Sequence, residues 1–182
     1  MARFEEALQF AAEAHEGKLR KGSINPFVLH PMETAVIASN LTADEDVIIA
    51  ALLHDTIEDA DVTADMIKAK FGPRVLALVL ADTEPEGITD WMERKTVVLR
   101  YLKHRANRDE KIVIFADRLS NLRSIYNDMS TMGGDVWAVF HEQSDASVQE
   151  WYYREVVEHI DEFRGTPAYE EYKDLLFKVF RK

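Results

Sequence analysis

An apolar run, Val47-Ile-Ile-Ala-Ala-Leu-Leu53, leads without a break into His54-Asp55 and then, three residues later, Glu58-Asp59. Ionisable groups set in so apolar a segment are costly to desolvate unless they are paired or bind a metal. In a helix, residues four apart share a face, so Glu58 lies one turn beyond His54 and Asp59 one turn beyond Asp55. A metal-ligand pair would then stand beside a carboxylate pair able to handle protons. The competing reading is a helix C-terminus with a solvated acidic tail.

The remaining sequence reads as helix after helix. Phe4, Leu8, Ala11 and Ala12 recur at helical spacing and end near Gly17. A polar loop with Lys18, Arg20, Lys21, Gly22 and Pro26 follows. Pro31 suits the first position of a new helix, with His30 at its N-cap edge. Thr42 and Glu45 form a capping-box pattern ahead of Val47, and Thr63 and Gly72 fit the start and stop of another helix. Val75 to Leu80 is strand-like by composition, but Pro73 and a length of about two turns also suit a helix. Glu84-Pro85-Glu86-Gly87 is a loop, after which Thr89 caps a helix from Asp90 to about Arg105. Ile112-Val-Ile-Phe115 is again strand-like locally, yet it runs without a turn signal to Ile125, so the spacing predicts one long helix. Gly133-Gly134 breaks the chain. Helices are expected at about 135–143, at 146–163 and, opened by Pro167, over 167–180. No repeat, low-complexity tract or linker interrupts this pattern, so the expected fold is a single all-α domain over 1–182.

A chain of 182 residues can bury a substantial core without staples. It has no cysteine, which excludes disulfides, thiolate nucleophiles and cysteine-held zinc, and which fits a reducing, cytoplasmic setting. No apolar run approaches a membrane span, and the acidic, amphipathic start does not look like a signal peptide. The net charge of −11 argues against nucleic acid as the main partner. A small phosphorylated ligand needs positive charge only near its site, and Lys18, Arg20 and Lys21 supply one such cluster.

Two further positions stand out. His30 precedes Pro31, and Asp117 interrupts the apolar face of the long helix with Asn121 one turn later. With His54 and Asp55 they make two imidazoles and two carboxylates. Nitrogen and oxygen donors without thiolate suit Mn²⁺, Fe²⁺, Mg²⁺ or Zn²⁺ and leave room for water and a phosphate oxygen.

The order His30-Pro31, Leu53-His54-Asp55-Thr-Ile-Glu58-Asp59, then Ala116-Asp117-Arg-Leu-Ser-Asn121-Leu-Arg123, preceded by Arg20-Lys21, resembles the HD-domain phosphohydrolases. Within them it is most similar to the hydrolase domain of RelA/SpoT-type enzymes and the small alarmone hydrolases, over roughly residues 4–162. The resemblance implies a helical HD-type domain with a buried metal site, in which His30, His54, Asp55 and Asp117 hold one Mn²⁺. It implies that Glu58 and Asp59 orient and deprotonate the attacking water, that Arg20 and Lys21 contact base and phosphate, and that Asn121 contacts ribose. It also places an aromatic from Trp151-Tyr152 near the nucleotide. The reaction it implies is removal of pyrophosphate from the 3′ position of a guanosine tetra- or pentaphosphate.

The residue chemistry fits that reaction independently. A dication lowers the pKa of water and neutralises charge on phosphorus, a carboxylate one turn away can take the proton, and Arg20 can stack on a purine face. One departure is that Glu84-Pro85-Glu86-Gly87 is acidic where alarmone hydrolases commonly carry lysine, which points instead to another nucleotide, such as a nucleoside monophosphate. A non-catalytic, metal-stabilised nucleotide-binding module is the third reading, opposed by the intact Glu58-Asp59 pair. His15, His104, His141 and His159 read as structural or surface residues. Trp91, Trp137, Tyr169, Tyr172, Leu176 and Phe180 read as core or as the contact of a homo-oligomer.

Overall fold

A helical segment that is apolar on every side has to be central, and two helices here contain one. The computed structural model describes residues 3–85, 87–132, 136–137 and 145–181. Along them run α1 (Arg3–Ala14), α2 (Leu29–Ser39), α3 (Glu45–Leu53), α4 (Thr56–Asp59), α5 (Ala64–Phe71), α6 (Pro73–Asp82), α7 (Trp91–His104), α8 (Arg108–Met132), α9 (Ala146–Val157) and α10 (Pro167–Phe180). The central pair is α3, which buries Val47 and Ile49 to Leu53, and α8, where Ile112 to Ala116, Leu119 and Leu122 are buried. Around α8 pack α2, α3, α6 and α10. Among the described residues there is no β-strand, only an isolated antiparallel bridge between Leu19 and Pro26. The all-α expectation holds, and the two strand-like stretches lie within α6 and α8.

Local chemistry sets the ends. Thr63 accepts from the Met66 N–H at the start of α5, and Gly72, at φ 96°, ends it just before Pro73 opens α6. Thr166 caps α10, with Pro167 in its first turn. Three boundaries differ from expectation by a residue or two. Asp44, not Thr42, caps α3, because its carboxylate accepts from the Asp46 N–H while Thr42 Oγ1 accepts from Asp44 N. Asp90 rather than Thr89 caps α7. His30 is the second residue of α2 rather than its cap, since the helical turn already begins at Val28. The helix expected over 146–163 ends at Val157 and is followed by a 3₁₀ turn at Asp161–Phe163. A reciprocal cap opens α8: Asn107 Oδ1 accepts from the Asp109 and Glu110 N–H groups, and Glu110 accepts from Asn107 N. The Gly133-Gly134 break and most of the helix expected at 135–143 lie outside the described residues, as does His141.

The C-terminal aromatics belong to the core. Tyr172 is fully buried against Phe115 at 5.4 Å, and its hydroxyl donates to the Tyr153 carbonyl. Tyr169, Leu176 and Phe180 are buried with it, and Trp137 stacks on Phe180 at 5.4 Å. Buried apolar residues from Ala7 to Phe180 form one continuous cluster. No helix among the described residues is long and apolar enough to cross a membrane.

Candidate metal centre and its cleft

The apolar run of α3 ends at His54, and α4 begins after Asp55, so the junction of two helices carries both residues. His30 comes from the first turn of α2 and Asp117 from the middle of α8. Ligand atoms of His30, His54 and Asp117 all lie within 4.8 Å of one another, and all three residues are buried. His30 Nε2 is 3.2 Å from His54 Nε2, 2.9 Å from Asp117 Oδ1 and 3.4 Å from Asp55 Oδ2. His54 Nε2 is 3.1 Å from Asp55 Oδ2 and 3.4 Å from Asp117 Oδ1. Ligand bonds of about 2.0–2.2 Å put neighbouring donors on one ion about 3.0–3.5 Å apart. His30, His54 and Asp117 therefore fit a divalent ion, with the Asp55 carboxylate beside the two imidazoles.

For His30 and Asp55 the protonation pattern agrees. Burial pushes the His30 imidazole down to about 4, which keeps it in the neutral form that ligates. Burial opposes charge on both His54 and Asp55, yet their mutual attraction wins. His54 is raised by the Asp55 carboxylate, and the imidazoles hold Asp55 well below the usual carboxylate range.

Glu58 and Asp59 follow on α4. Both meet water through a cleft, but each is also crowded by protein and by like charge. Desolvation, with help from the Asp55, Asp82 and Glu84 carboxylates, pushes Glu58 up to about 7 against the opposing Glu84 N–H, which donates to Glu58 Oε1. Desolvation and Asp55 also raise Asp59. A carboxyl poised near neutrality suits proton transfer.

The cleft, about 280 Å³, opens over the donor cluster. Arg20 and Lys21 line it from the loop before α2, where Arg20 N donates to the Asn25 carbonyl and its guanidinium lies 5.8 Å from the Phe27 ring centre. Asn121 lines it from α8, donating to Asp117 Oδ1 at 2.7 Å. From α9 the lining residues are Gln149, Tyr152 and Tyr153. Trp151 is not among them. It is half-buried against the core, because residues adjacent in a helix point in different directions.

Two cationic residues of the site escaped the sequence reading. Arg118 is buried beside the cluster, paired with Asp117, donating to Asp82 Oδ1 at 2.8 Å and to the Tyr152 hydroxyl at 2.8 Å. Its partner Asp82 stands 36 positions away, which no local pattern reveals. Lys95 of α7 lines the cleft, pairs with Glu84 and sits 4.9 Å from the Tyr152 ring centre. Its helical register was visible in sequence, but its facing was not. Glu84 is held by Lys95 and by Arg94 at 2.8 Å, so the acidic loop arrives with its own counter-charge. Among the other histidines, His15 is buried and has no hydrogen-bond partner on either nitrogen among the described residues.

Known proteins resemble this chain in sequence and fold. The HD-domain family model matches residues 7–145. The MESH1 guanosine-3′,5′-bis(diphosphate) 3′-pyrophosphohydrolase of Drosophila melanogaster is 33% identical over 184 residues, covering 100% of this chain and 94% of its own. The enzyme of the same activity name from Aquifex aeolicus is 33% identical over 132 residues, which take in 66% of this chain but only 17% of that relative's length. The solved structure of a metazoan SpoT orthologue that hydrolyses ppGpp superposes with a TM-score of 0.74 at 28% identity, covering 98% of this chain and 95% of that one. A helical core built around paired imidazoles and carboxylates, matched over most of its length by such relatives, places the chain in the HD-domain family.

Proposed function

We propose that this chain is a divalent-metal-dependent phosphohydrolase that removes pyrophosphate from the 3′ position of a guanosine 3′,5′-polyphosphate, with His30, His54, Asp55 and Asp117 as ligands of one Mn²⁺. The observation that carries the reading is the joining of that donor cluster to a cleft bearing Glu58, Asp59 and the cations Arg20, Lys21 and Lys95. The MESH1 relatives, named for this reaction, support the choice of substrate. We take the whole chain, 1–182, as one domain, acting in the cytoplasm on a small nucleotide within an alarmone response such as the stringent response.

The dication supplies Lewis acidity, lowering the pKa of water and drawing charge from the phosphoryl oxygens. The protein does the rest. Glu58, with Asp59 beside it, accepts one proton of the attacking water as the water oxygen bonds to phosphorus and the bond to the ribose 3′-oxygen breaks, and that oxygen takes up a proton from solvent to leave as a hydroxyl. Arg20 stacks on the base, Asn121 holds the ribose, and Lys21 and Lys95 neutralise phosphate charge. Tyr152 forms the wall on which Lys95 rests.

A second reading, hydrolysis of a nucleoside monophosphate, draws on Glu84, whose carboxylate stands where phosphate would be met. Incubating the Mn²⁺-loaded protein with guanosine tetraphosphate and a panel of nucleoside monophosphates decides between them. Guanosine diphosphate and pyrophosphate as products support the first reading. Turnover of a monophosphate with none of the tetraphosphate sinks it.

A further inference from the structure

His30 meets the donor cluster through Nε2, so the proton of its neutral ring has to reside on Nδ1 for the nitrogen to offer a lone pair. What lies on the Nδ1 side is therefore decisive. Nδ1 is 2.8 Å from Ser120 Oγ. The Ser120 hydroxyl has a single proton, and it donates that proton to Glu33 Oε2 at 2.6 Å. A carboxylate only accepts. Ser120 Oγ is thus left to accept from the ring, which draws the His30 proton to Nδ1 against the pull of Asp117 Oδ1, 2.9 Å from Nε2. Glu33 is itself held, because Arg123 Nη1 donates to its other oxygen at 3.1 Å. Arg123 in turn makes a two-point pair with Glu171 of α10, each bond 2.7 Å. His54 meets the same requirement through the backbone, with Nδ1 2.9 Å from the Ala51 carbonyl, which also only accepts.

We infer that Ser120, Glu33 and Arg123 are a relay of positioning residues that locks His30 in the Nδ1–H tautomer and so makes its Nε2 a competent metal ligand. The inference rests on the reading of His30 as a ligand. Its polarity runs one way only: the carboxylate fixes the hydroxyl, and the hydroxyl fixes the ring. Groups that hold the far nitrogen of a ligating histidine set both its tautomer and its orientation. Here the buried end is Ser120, 1% exposed, while Glu33 and Arg123 lie half-exposed at the surface. Without Glu33 the Ser120 proton is free to turn toward Nδ1. The ring then carries its own proton on Nε2 and presents no lone pair to the cluster.

The test uses the full chain as wild type, Glu33→Ala and Ser120→Ala. Each is titrated with Mn²⁺ alone by calorimetry, and the His30 tautomer of the metal-free protein is read from ring ¹⁵N shifts assigned against a His30→Gln spectrum. Glu33→Ala is a substitution at a half-exposed site and keeps the test standing should Ser120→Ala fold poorly. The relay expects Mn²⁺ affinity to fall about 10–100-fold in Glu33→Ala, with the Nε2–H signature replacing Nδ1–H and no comparable drop in the thermal midpoint of the metal-free protein. Wild-type affinity in Glu33→Ala overturns the relay. So does weakened affinity with the Nδ1–H tautomer retained, which would assign the loss to charge alone. Should the wild-type protein take up no Mn²⁺, the metal reading fails, while the ring spectrum still decides what Glu33 does to His30.

Discussion

The Arg20 guanidinium donates to Asn121 Oδ1 at 2.7 Å, tying a loop residue to one on α8 that lies 101 positions further along the chain. Asn121 passes the connection on, since its amide donates to Asp117 Oδ1 at 2.7 Å. The two residues proposed to hold base and ribose are thus coupled to each other and to a carboxylate of the donor cluster. On the proposed roles, nucleotide recognition and metal binding would share a hydrogen-bond network.

Arg20 should matter more for binding than for chemistry, because stacking on a base is remote from the bond that breaks. A cation–π contact contributes about 0.5–2 kcal/mol, so Arg20→Ala should raise KM several-fold or more and leave kcat largely intact. Asn121→Ala should lower kcat as well, through Asp117. Steady-state kinetics with guanosine tetraphosphate and a nucleoside monophosphate checks both. An unchanged KM for every nucleotide in the Arg20 variant would make this stretch an ordinary solvated loop.

The purified protein should hold about one divalent ion per chain, and chelation should abolish hydrolysis. Replacing His54 or Asp55 by alanine should empty the centre, since each supplies a donor that no neighbour can replace. Elemental analysis is the measurement. Full occupancy in Asp117→Ala would take Asp117 off the ligand set.

Glu58→Gln should keep the metal and lose on the order of 10²–10⁴ in turnover, the usual scale for a positioned proton acceptor. The pH profile gives a sharper check. Crowding pushes Glu58 up to about 7, and below its pKa the carboxyl is already protonated and cannot accept. The rate should therefore rise with pH along a limb that ends at or below about 7, because a nearby dication can only lower that value. The limb should vanish in the residual activity of Glu58→Gln. Parental rates in both Glu58→Gln and Asp59→Asn would make the pair a solvated helix end.

Lys95→Ala should raise KM for the tetraphosphate more than for a monophosphate, since a second phosphate group has more to gain from a cation beside the cleft. The comparison needs only the two substrates already named. Equal effects on both, or none, would reduce Lys95 to a counter-ion for Glu84.

The parts of this molecule that were legible in sequence are those encoded locally. Asp117 and His54-Asp55 stood out because charged residues interrupt apolar helical runs there, His30 because it precedes Pro31, and α8 was readable because nothing between Ile112 and Ile125 could turn the chain. Caps slipped by a residue or two where several hydroxyl and carboxylate side chains compete, as with Thr42 and Asp44. Arg118 and Ser120 stood in plain view inside the Asp117–Asn121 segment, but their importance comes from Asp82 and Glu33, partners contributed by other helices. Trp151 was a matter of facing. On a helix as well packed as α9, only neighbouring elements decide which aromatic meets the cleft.

One peptide bond joins His54 to Asp55, so two of the proposed donors reach the centre as a single preassembled unit, whatever the rest of the chain does. Only His30 and Asp117 have to be carried there, each at the end of a stretch that folding must close. An ion at this junction is in polymer terms a reversible cross-link, tying α2 and α8 to the end of α3 and removing slack that the chain otherwise keeps. The segment bearing Arg20 and Lys21 leads directly into α2, on the near side of that knot. Untying it would loosen the grip on the nucleotide along with the ion, so that starving the protein of metal would show first as a floppier entrance to the cleft.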